Sequence, residues 1–284
     1  MLITHAHEDH VGAVAHLWPR LKCPVYATPF TLAVLRRKLE EAGLAGKVPL
    51  HEISLSGDVS IGPFDLTLVT LTHSIPEPNG LIIKTGVGTI FHTGDWKLDP
   101  DPLVGDTTDE AALRAVGDAG VLAMIGDSTN ATVEGEAGSE AEVRDSLLEL
   151  VGNFKERVAF ACFASNIARV QTVAEVAHAH GRAVGLVGRS LWRMTEAARA
   201  TGYLRDLPPF VREDEAMLLP RDKVALICTG SQGEPRAALS RIARDDHQNI
   251  TLDSGDTVIF SSRIIPGNEV SIGRLQNQLT AMGV

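Results

Sequence analysis

Four potential metal ligands fall within six residues near the start of the chain, in His5-Ala6-His7-Glu8-Asp9-His10. The segment follows Leu2-Ile3-Thr4, read as the end of a strand, and precedes a helical pattern over residues 11–20 carried by Val11, Val14, Ala15, Leu17 and Trp18. A turn between such elements can point His5 and His7 to one side while Asp9 and His10 swing from the helix start toward a second position. Imidazole and carboxylate donors suit Zn²⁺ and, with more oxygen, Mn²⁺. Chance placement of H-x-H-x-D-H in a chain this long is on the order of one in a thousand, so a plain histidine-rich turn is the weaker reading. Glu8 reads as a solvated or supporting acid rather than a ligand.

Two further residues are expected to complete the site. His73 ends an alternating strand in Leu71-Thr72-His73-Ser74-Ile75-Pro76, and Asp95 follows a strand in Phe91-His92-Thr93-Gly94-Asp95-Trp96-Lys97. Taken alone, a histidine at a strand end is more often a surface residue and Gly-Asp more often a turn. Both lie at the carboxyl ends of strands, where sheet-based sites collect, and the first motif raises both to candidate ligands. Two neighbouring divalent cations lower the pKa of a water and spread negative charge that builds on a phosphorus centre. His92 reads as a structural neighbour of Asp95. His16, His51, His178, His180 and His247 have no ligand partner at useful spacing and read as surface or helix-face residues.

The chain has 284 residues and a formal net charge of −10, which argues against a non-specific polyanion binder but leaves room for an enzyme that holds a few phosphates. Cys23, Cys162 and Cys228 are far apart and form no C-x-x-C pair. They read as small hydrophobes in a reducing cytosol, not as disulfides or metal ligands. No apolar run is long enough to span a membrane, and the amino terminus does not read as a secretory signal, so a cytoplasmic location is expected.

The first half contains a short strand at 24–27, a helix over 31–42 and a strand-rich stretch. There, Phe64–Thr72 alternates apolar and polar residues, with a break at Leu68-Val69, and Gly80–Thr85 with Thr89–Thr93 reads as a hairpin. After an acidic loop over 134–139, strands and helices alternate. Candidate strands are 158–162, 183–187, 224–229 and 257–261, and candidate helices are 139–154, 166–180, 191–201, 235–243 and 269–282. This is the βα rhythm of a mostly parallel sheet, and it places a domain boundary near residue 135.

The set His5, His7, Asp9, His10, His73 and Asp95 resembles the metallo-β-lactamase superfamily pattern. Four later segments resemble the β-CASP nucleases, and specifically the ribonuclease J family: Gly126-Asp127-Ser128-Thr129-Asn130, Phe163-Ala164-Ser165-Asn166, Thr229-Gly230-Ser231-Gln232-Gly233-Glu234-Pro235 and Ile265-Pro266-Gly267-Asn268-Glu269. The resemblance runs through nearly the whole chain. It implies an α/β fold: a metallo-β-lactamase αββα sandwich over 1–135, with its first strands missing, and an inserted β-CASP domain on a mostly parallel sheet over 136–284. It further implies that His5, His7 and His73 bind one metal, that Asp9 and His10 bind another, and that Asp95 bridges the two. Zn²⁺ is the expected metal, with Mn²⁺ or Mg²⁺ as alternatives, and Asp9 and Asp95 are the expected catalytic carboxylates.

The implied activity is hydrolysis of RNA phosphodiesters in RNA processing and decay, 5′→3′, with internal cleavage where the RNA path is open. Ser165 and Phe163 are implied to seat a 5′-monophosphate of single-stranded RNA. Read from the residues alone, Ser165 is more simply a helix N-cap, and Asp127, implied to border the metal site, reads equally well as an Asx turn or cap. Ser231, in a glycine-rich turn, is a further candidate RNA contact. The resemblance also implies a homodimer or homotetramer. Segments that the family carries upstream of His5 and beyond Val284 are absent, so the sequence reads as truncated at both ends. On that reading the second metal binds weakly, the chain cleaves RNA poorly and the first domain is unstable. Two other classes stay open: a metallo-hydrolase of small esters or lactams, and a non-catalytic RNA-binding remnant of the fold.

Overall fold

The structure is a computed structural model describing residues 1–284, and it divides into two units. The first comprises Met1–Glu140 with Ala197–Tyr203, the second Ala141–Glu196 with Leu204–Val284. No helix is long and apolar enough to cross a membrane.

The first unit begins with α1 (Glu8–Val11) and α2 (Val14–Leu21), followed by β1 (Val25–Ala27), α3 (Pro29–Glu41) and β2 (Leu50–Glu52). Proline at the start of α3 is in keeping with its missing N–H, which no helix carbonyl would have accepted. β1 and β2 pair in parallel, and Leu2 adds a single bridge to Tyr26 rather than the strand end expected from Leu2-Ile3-Thr4. Next come β3 (Asp58–Ile61), β4 (Phe64–Thr70), β5 (Asn79–Thr85), β6 (Gly88–His92), α4 (Glu110–Ala119) and β7 (Ala123–Ile125). The five strands form one sheet in the order β3-β4-β5-β6-β7, antiparallel except for the last pair.

The break in alternation at Leu68-Val69 has a packing cause. Leu66 and Leu68 join Leu81 and Ile53 in one cluster, while Val69 and Leu71 join Ile82 and Phe91 in another, against Leu113 and Val116 of α4. Both faces of β4 are therefore covered in its second half, and alternation marks only half-buried strands. α4 was not foreseen in the sequence. It is capped by the Asp109 carboxylate, which accepts from the Ala112 N–H at 2.9 Å.

The second unit carries α5 (Glu140–Val151, whose first residue belongs to the first unit), β8 (Val158–Ala161), α6 (Ile167–Ala179), β9 (Ala183–Val187), α7 (Arg189–Ala200, whose last four residues belong to the first unit), α8 (Glu213–Ala216), β10 (Val224–Cys228), α9 (Ala238–Ile242), β11 (Thr257–Phe260) and α10 (Glu269–Ala281). Its strands form a wholly parallel sheet in the order β11-β8-β10-β9. The two central strands, Val-Ala-Phe-Ala and Val-Ala-Leu-Ile-Cys, are buried throughout, as unbroken apolar strands flanked by helices must be. Cys162 and Cys228 are free and buried. Pro235, expected in the first turn of a helix, lies before α9 instead. Its carbonyl accepts from Arg244 Nη2 at 2.8 Å, and the helix begins only at Ala238.

Candidate metal centre

The motif His5–His10 folds around the start of α1. His7 is the residue before the helix and is extended (φ −66°, ψ 153°), while its carbonyl accepts from His10 and Val11 N–H groups. The reversal from extended to helical backbone puts His5 and His7 on the same side as His73. His5 Nε2 lies 3.1 Å from His7 Nδ1, which lies 3.1 Å from His73 Nε2. His5 is fully buried, and its other nitrogen, Nδ1, lies 3.2 Å from Thr4 Oγ1.

Asp95 joins this trio through one carboxylate oxygen. Oδ2 lies 3.7 Å from His5 Nε2 and 3.9 Å from His73 Nε2, while Oδ1 faces His10 Nε2 at 3.4 Å. His10 Nε2 in turn lies 3.7 Å from Asp9 Oδ2. The donors thus fall into two groups that share one carboxylate: His5, His7, His73 and Asp95, and Asp9, His10 and Asp95.

The turn that presents Asp95 is built for the purpose. His92 Nδ1 accepts from the Gly94 N–H at 3.0 Å, and Thr93 Oγ1 donates to the Gly94 carbonyl at 2.7 Å. Gly94 has φ +59°, and a Cβ there would sit 2.6 Å from the Asn79 carbonyl oxygen, so only glycine fits. His92 belongs to neither donor group. Glu8 turns away to Lys38, 2.5 Å from its Nζ.

Burial first, and then repulsion from neighbouring histidines, holds His5 down to about 2. His7 and His73 are each held down to about 4, again with burial as the main cause. All three imidazoles are therefore neutral near pH 7, and their approaches to Asp95 are not ion pairs. Neutral imidazole is the form that binds a metal. Hydrogen bonding does not account for the trio, because His7 Nδ1 has a single lone pair or a single proton and two nitrogens crowd it at 3.1 Å. A tetrahedral ion with bonds of about 2.05 Å keeps its ligands roughly 3.3 Å apart. Nitrogens 3.1 Å apart and a carboxylate oxygen at 3.7 and 3.9 Å fit that donor set. The second group offers three donors, with Asp9 largely exposed.

Asp127 borders the same region. Its Oδ1 accepts from Thr129 N at 2.9 Å and Thr129 Oγ1 at 2.7 Å, the Asx turn that the sequence left open, and these bonds keep its carboxyl below the usual range. Its negative charge acts on His73. Glu77 was missed by sequence reasoning. This buried carboxylate has a left-handed backbone (φ +58°), accepts from Phe30 N at the start of α3 (2.8 Å) and from the Tyr203 hydroxyl (3.2 Å), and burial raises its pKa. It pins the loop between His73 and β5 to α3. The available signal was an acid beside two prolines in an otherwise apolar segment.

In the second unit, Phe163 and Ser165 follow β8. Asn166, not Ser165, caps α6, accepting from Arg169 N at 2.9 Å. The capping role that competed for Ser165 is thus taken by its neighbour. Ser231 is only 2% exposed, which leaves little of its side chain for a ligand. The adjacent Gln232 braces two motifs together: its Nε2 donates to the Arg263 carbonyl (2.8 Å), and its Oε1 accepts from Ile265 N (2.9 Å) and Asn268 Nδ2 (3.2 Å).

Two family models match: a beta-lactamase superfamily domain over residues 1–127 and a ribonuclease J beta-CASP domain over residues 155–279. The chain is 47% identical to Ribonuclease J of Sinorhizobium meliloti over its full length and 50% of that relative. It is 42% identical to Ribonuclease J 1 of Streptococcus pyogenes and 37% identical to Ribonuclease J2 of Bacillus subtilis, covering all of this chain and 51% of each relative. The chain spans about half the length of the curated relatives it matches. A crystal structure of a protein of unknown function from Enterococcus faecalis V583 matches with a TM-score of 0.60 and 16% identity over 90% of this chain and 70% of its own, a likeness of fold alone.

Proposed function

Because the chain belongs to the ribonuclease J family and joins a metallo-β-lactamase domain to a β-CASP domain, we propose that it forms the catalytic core of a metal-dependent ribonuclease. The observation that carries this reading is the shared carboxylate, with Asp95 facing His5 and His73 through Oδ2 and His10 through Oδ1. His5, His7 and His73 would hold one divalent cation and Asp9 and His10 a second, with Asp95 serving both. A bound pair supplies a nucleophile at neutral pH and a counter-charge for the phosphorus centre.

The chain's own residues do the rest. Asp9 and Asp95 accept hydrogen bonds from the attacking water and fix its direction. Burial keeps the three imidazoles unprotonated, so they do not repel a cation and each keeps a lone pair to offer it. Ser165, with its hydroxyl released from capping, and Phe163 would seat the 5′-phosphate of single-stranded RNA, which favours stepwise 5′→3′ removal with internal cleavage as a second mode. Asp127 borders the reacting centre, and Ser231 contributes its turn rather than its hydroxyl. On this reading the functional division lies near residue 135, Zn²⁺ is the resident metal, the protein acts in the cytoplasm, and the full-length protein is a dimer or tetramer.

The test pairs metal analysis of the purified chain with cleavage of 5′-monophosphorylated and 5′-triphosphorylated RNA. Expected are bound divalent metal, faster cleavage of the monophosphate, and loss of both metal and activity in Asp95→Asn. Metal content unchanged in that variant, or cleavage that persists in a chelator, would sink the reading.

A further inference from the structure

The carboxyl edge of the parallel sheet in the second unit holds a cavity that neither the metal centre nor the Phe163–Asn166 turn uses. It has a volume of about 540 Å³ and opens where β9 and β10 end, at Gly188 and Thr229, with Arg189, Arg193, Arg236, Arg241 and His247 among its walls. Crevices beyond the carboxyl ends of parallel strands are where such sheets bind ligands, and this volume suits a nucleotide.

The charge balance inside it is lopsided. Two carboxylates line the cavity, and both are committed to its walls. Glu213 accepts from Gly188 N at 3.2 Å and Asn249 Nδ2 at 3.3 Å, and Glu234 accepts from Gln232 N at 3.0 Å. Arg241 is tied to the Asp246 carbonyl at 2.7 Å. The guanidinium groups of Arg189 and Arg236 have no hydrogen-bond or ion-pair partner in the protein. His247 Nδ1 accepts from Asn249 N at 3.3 Å and Ile250 N at 3.2 Å, so its proton sits on Nε2 and makes the ring a donor. A chain with net charge −10 thus gathers unspent donors in one concavity. Fork-shaped guanidinium donors match phosphate oxygens in pairs.

We propose that this cavity is a second phosphate-binding site, taking a phosphate of a nucleotide chain or of a free nucleoside monophosphate. The site stands on its own geometry; the choice of RNA as the source rests on the nuclease reading above. Ser165 follows β8, and the cavity lies between β10 and β9, the next two strands of the same sheet. Neighbouring strands are about 4.8 Å apart, so the cavity lies roughly 7 Å along the same edge from the proposed 5′-phosphate seat. A site so placed would hold a second point of the substrate or retain a released mononucleotide.

The test uses the full 284-residue chain in EDTA, so that metal-dependent cleavage cannot intervene. Phenylglyoxal modifies accessible guanidinium groups, and peptide mass spectrometry follows Arg189 and Arg236 separately. The probes are inorganic phosphate, uridine 5′-monophosphate and a short oligouridylate. Saturating probe should slow modification of both arginines, with protection weakening as salt rises. The double variant R189E/R236E should bind the protecting probe about tenfold or more weakly, with an unchanged thermal melt. Protection by the oligonucleotide alone assigns the cavity to the RNA chain, and protection by the monophosphate as well assigns it to the free nucleotide too. No protection by any probe overturns the proposal, as does undiminished binding by the double variant. Cleavage of RNA with metal restored is measured separately. Its absence beside intact protection would remove the nuclease reading and leave the cavity standing.

Discussion

The Asp256 network and the histidine cluster both bury polar chemistry, and they dispose of it in opposite ways. Asp256, with no exposed side-chain surface, lies at the amino edge of the second unit's sheet, where β11 begins. Its Oδ1 accepts from Arg157 N at 3.1 Å and Arg221 Nη2 at 2.7 Å, and its Oδ2 from Arg157 Nη1 and Asp253 N, both at 2.9 Å. That network is closed: each oxygen meets donors from the chain itself. His5 is as deeply buried, yet its Nε2 faces another imidazole at 3.1 Å and a carboxylate oxygen at 3.7 Å, a spacing suited to a shared ion rather than to hydrogen bonds. A closed network contributes to the fold, and an open one is a place kept for a ligand. The arginines of the second unit repeat the contrast within a single sheet. Arg157, Arg182 and Arg221 at the amino edge donate to carbonyls and carboxylates, with the buried Arg157 Nε left without a partner, whereas Arg189 and Arg236 at the carboxyl edge make no such bond.

The sharpest way to break this comparison is Asp256→Ala. It removes the one carboxylate shared by two arginines and leaves Arg157, only 3% exposed, with the Thr251 carbonyl at 3.1 Å and the exposed Asp253 at 3.7 Å. Stranding a buried charge in this way costs about 3–5 kcal/mol. Urea denaturation of the full chain should show that loss as a lower midpoint. A change near zero would mean that water already serves the network.

The histidine cluster predicts a pH dependence of intermediate size. His7 and His73 titrate near 4 in the folded protein and His5 near 2, against an ordinary value of 6.5. Below about pH 6.5 the unfolded chain takes up protons that the folded cluster refuses, so acid favours unfolding. Above that pH both states are neutral and the effect vanishes. The metal-free protein should therefore lose stability as pH falls from about 6.5 toward 4, by about 1–2 kcal/mol between pH 7 and 5.5 once partial exposure is allowed for. Urea midpoints in EDTA across this range measure it. Saturating Zn²⁺ should raise the midpoint at pH 7, and less so at pH 5.5, because protons compete for the same nitrogens. A flat profile would mean that the folded cluster takes up protons as readily as the unfolded chain.

Much of this was legible in sequence, because it is local. The H-x-H-x-D-H spacing, the alternation into His73 and the Gly-Asp turn each place a candidate ligand at the end of an element, and the apolar runs of β8 and β10 announce a parallel sheet. What escaped depends on contacts distant in the chain. Glu77 acquires its role from Phe30 and Tyr203, and nothing local in Ala197–Tyr203 points to residue 77. α4 escaped because it is short, its apolar side chains against the core are only Ala112, Leu113 and Val116, and its Asp109 cap reads equally well as a loop residue. The cavity escaped because Arg189, Arg236 and His247 are scattered along the sequence and meet only through the strand order β10-β9.

The smallest expected effect discriminates best between closed and open arrangements. Arg189→Ala removes a guanidinium with no partner in the protein, at an exposed position beginning α7. A side chain that contributes nothing to the fold should cost no more than about 0.5 kcal/mol when removed, and alanine is in addition a good helix former. The urea midpoint should therefore match that of the parent within error, while protection of Arg236 by uridine 5′-monophosphate or oligouridylate weakens. The two readouts must separate. If Arg189→Ala destabilises the chain as Asp256→Ala does, the arginine belongs to the structure after all, and the carboxyl edge is as closed as the amino edge.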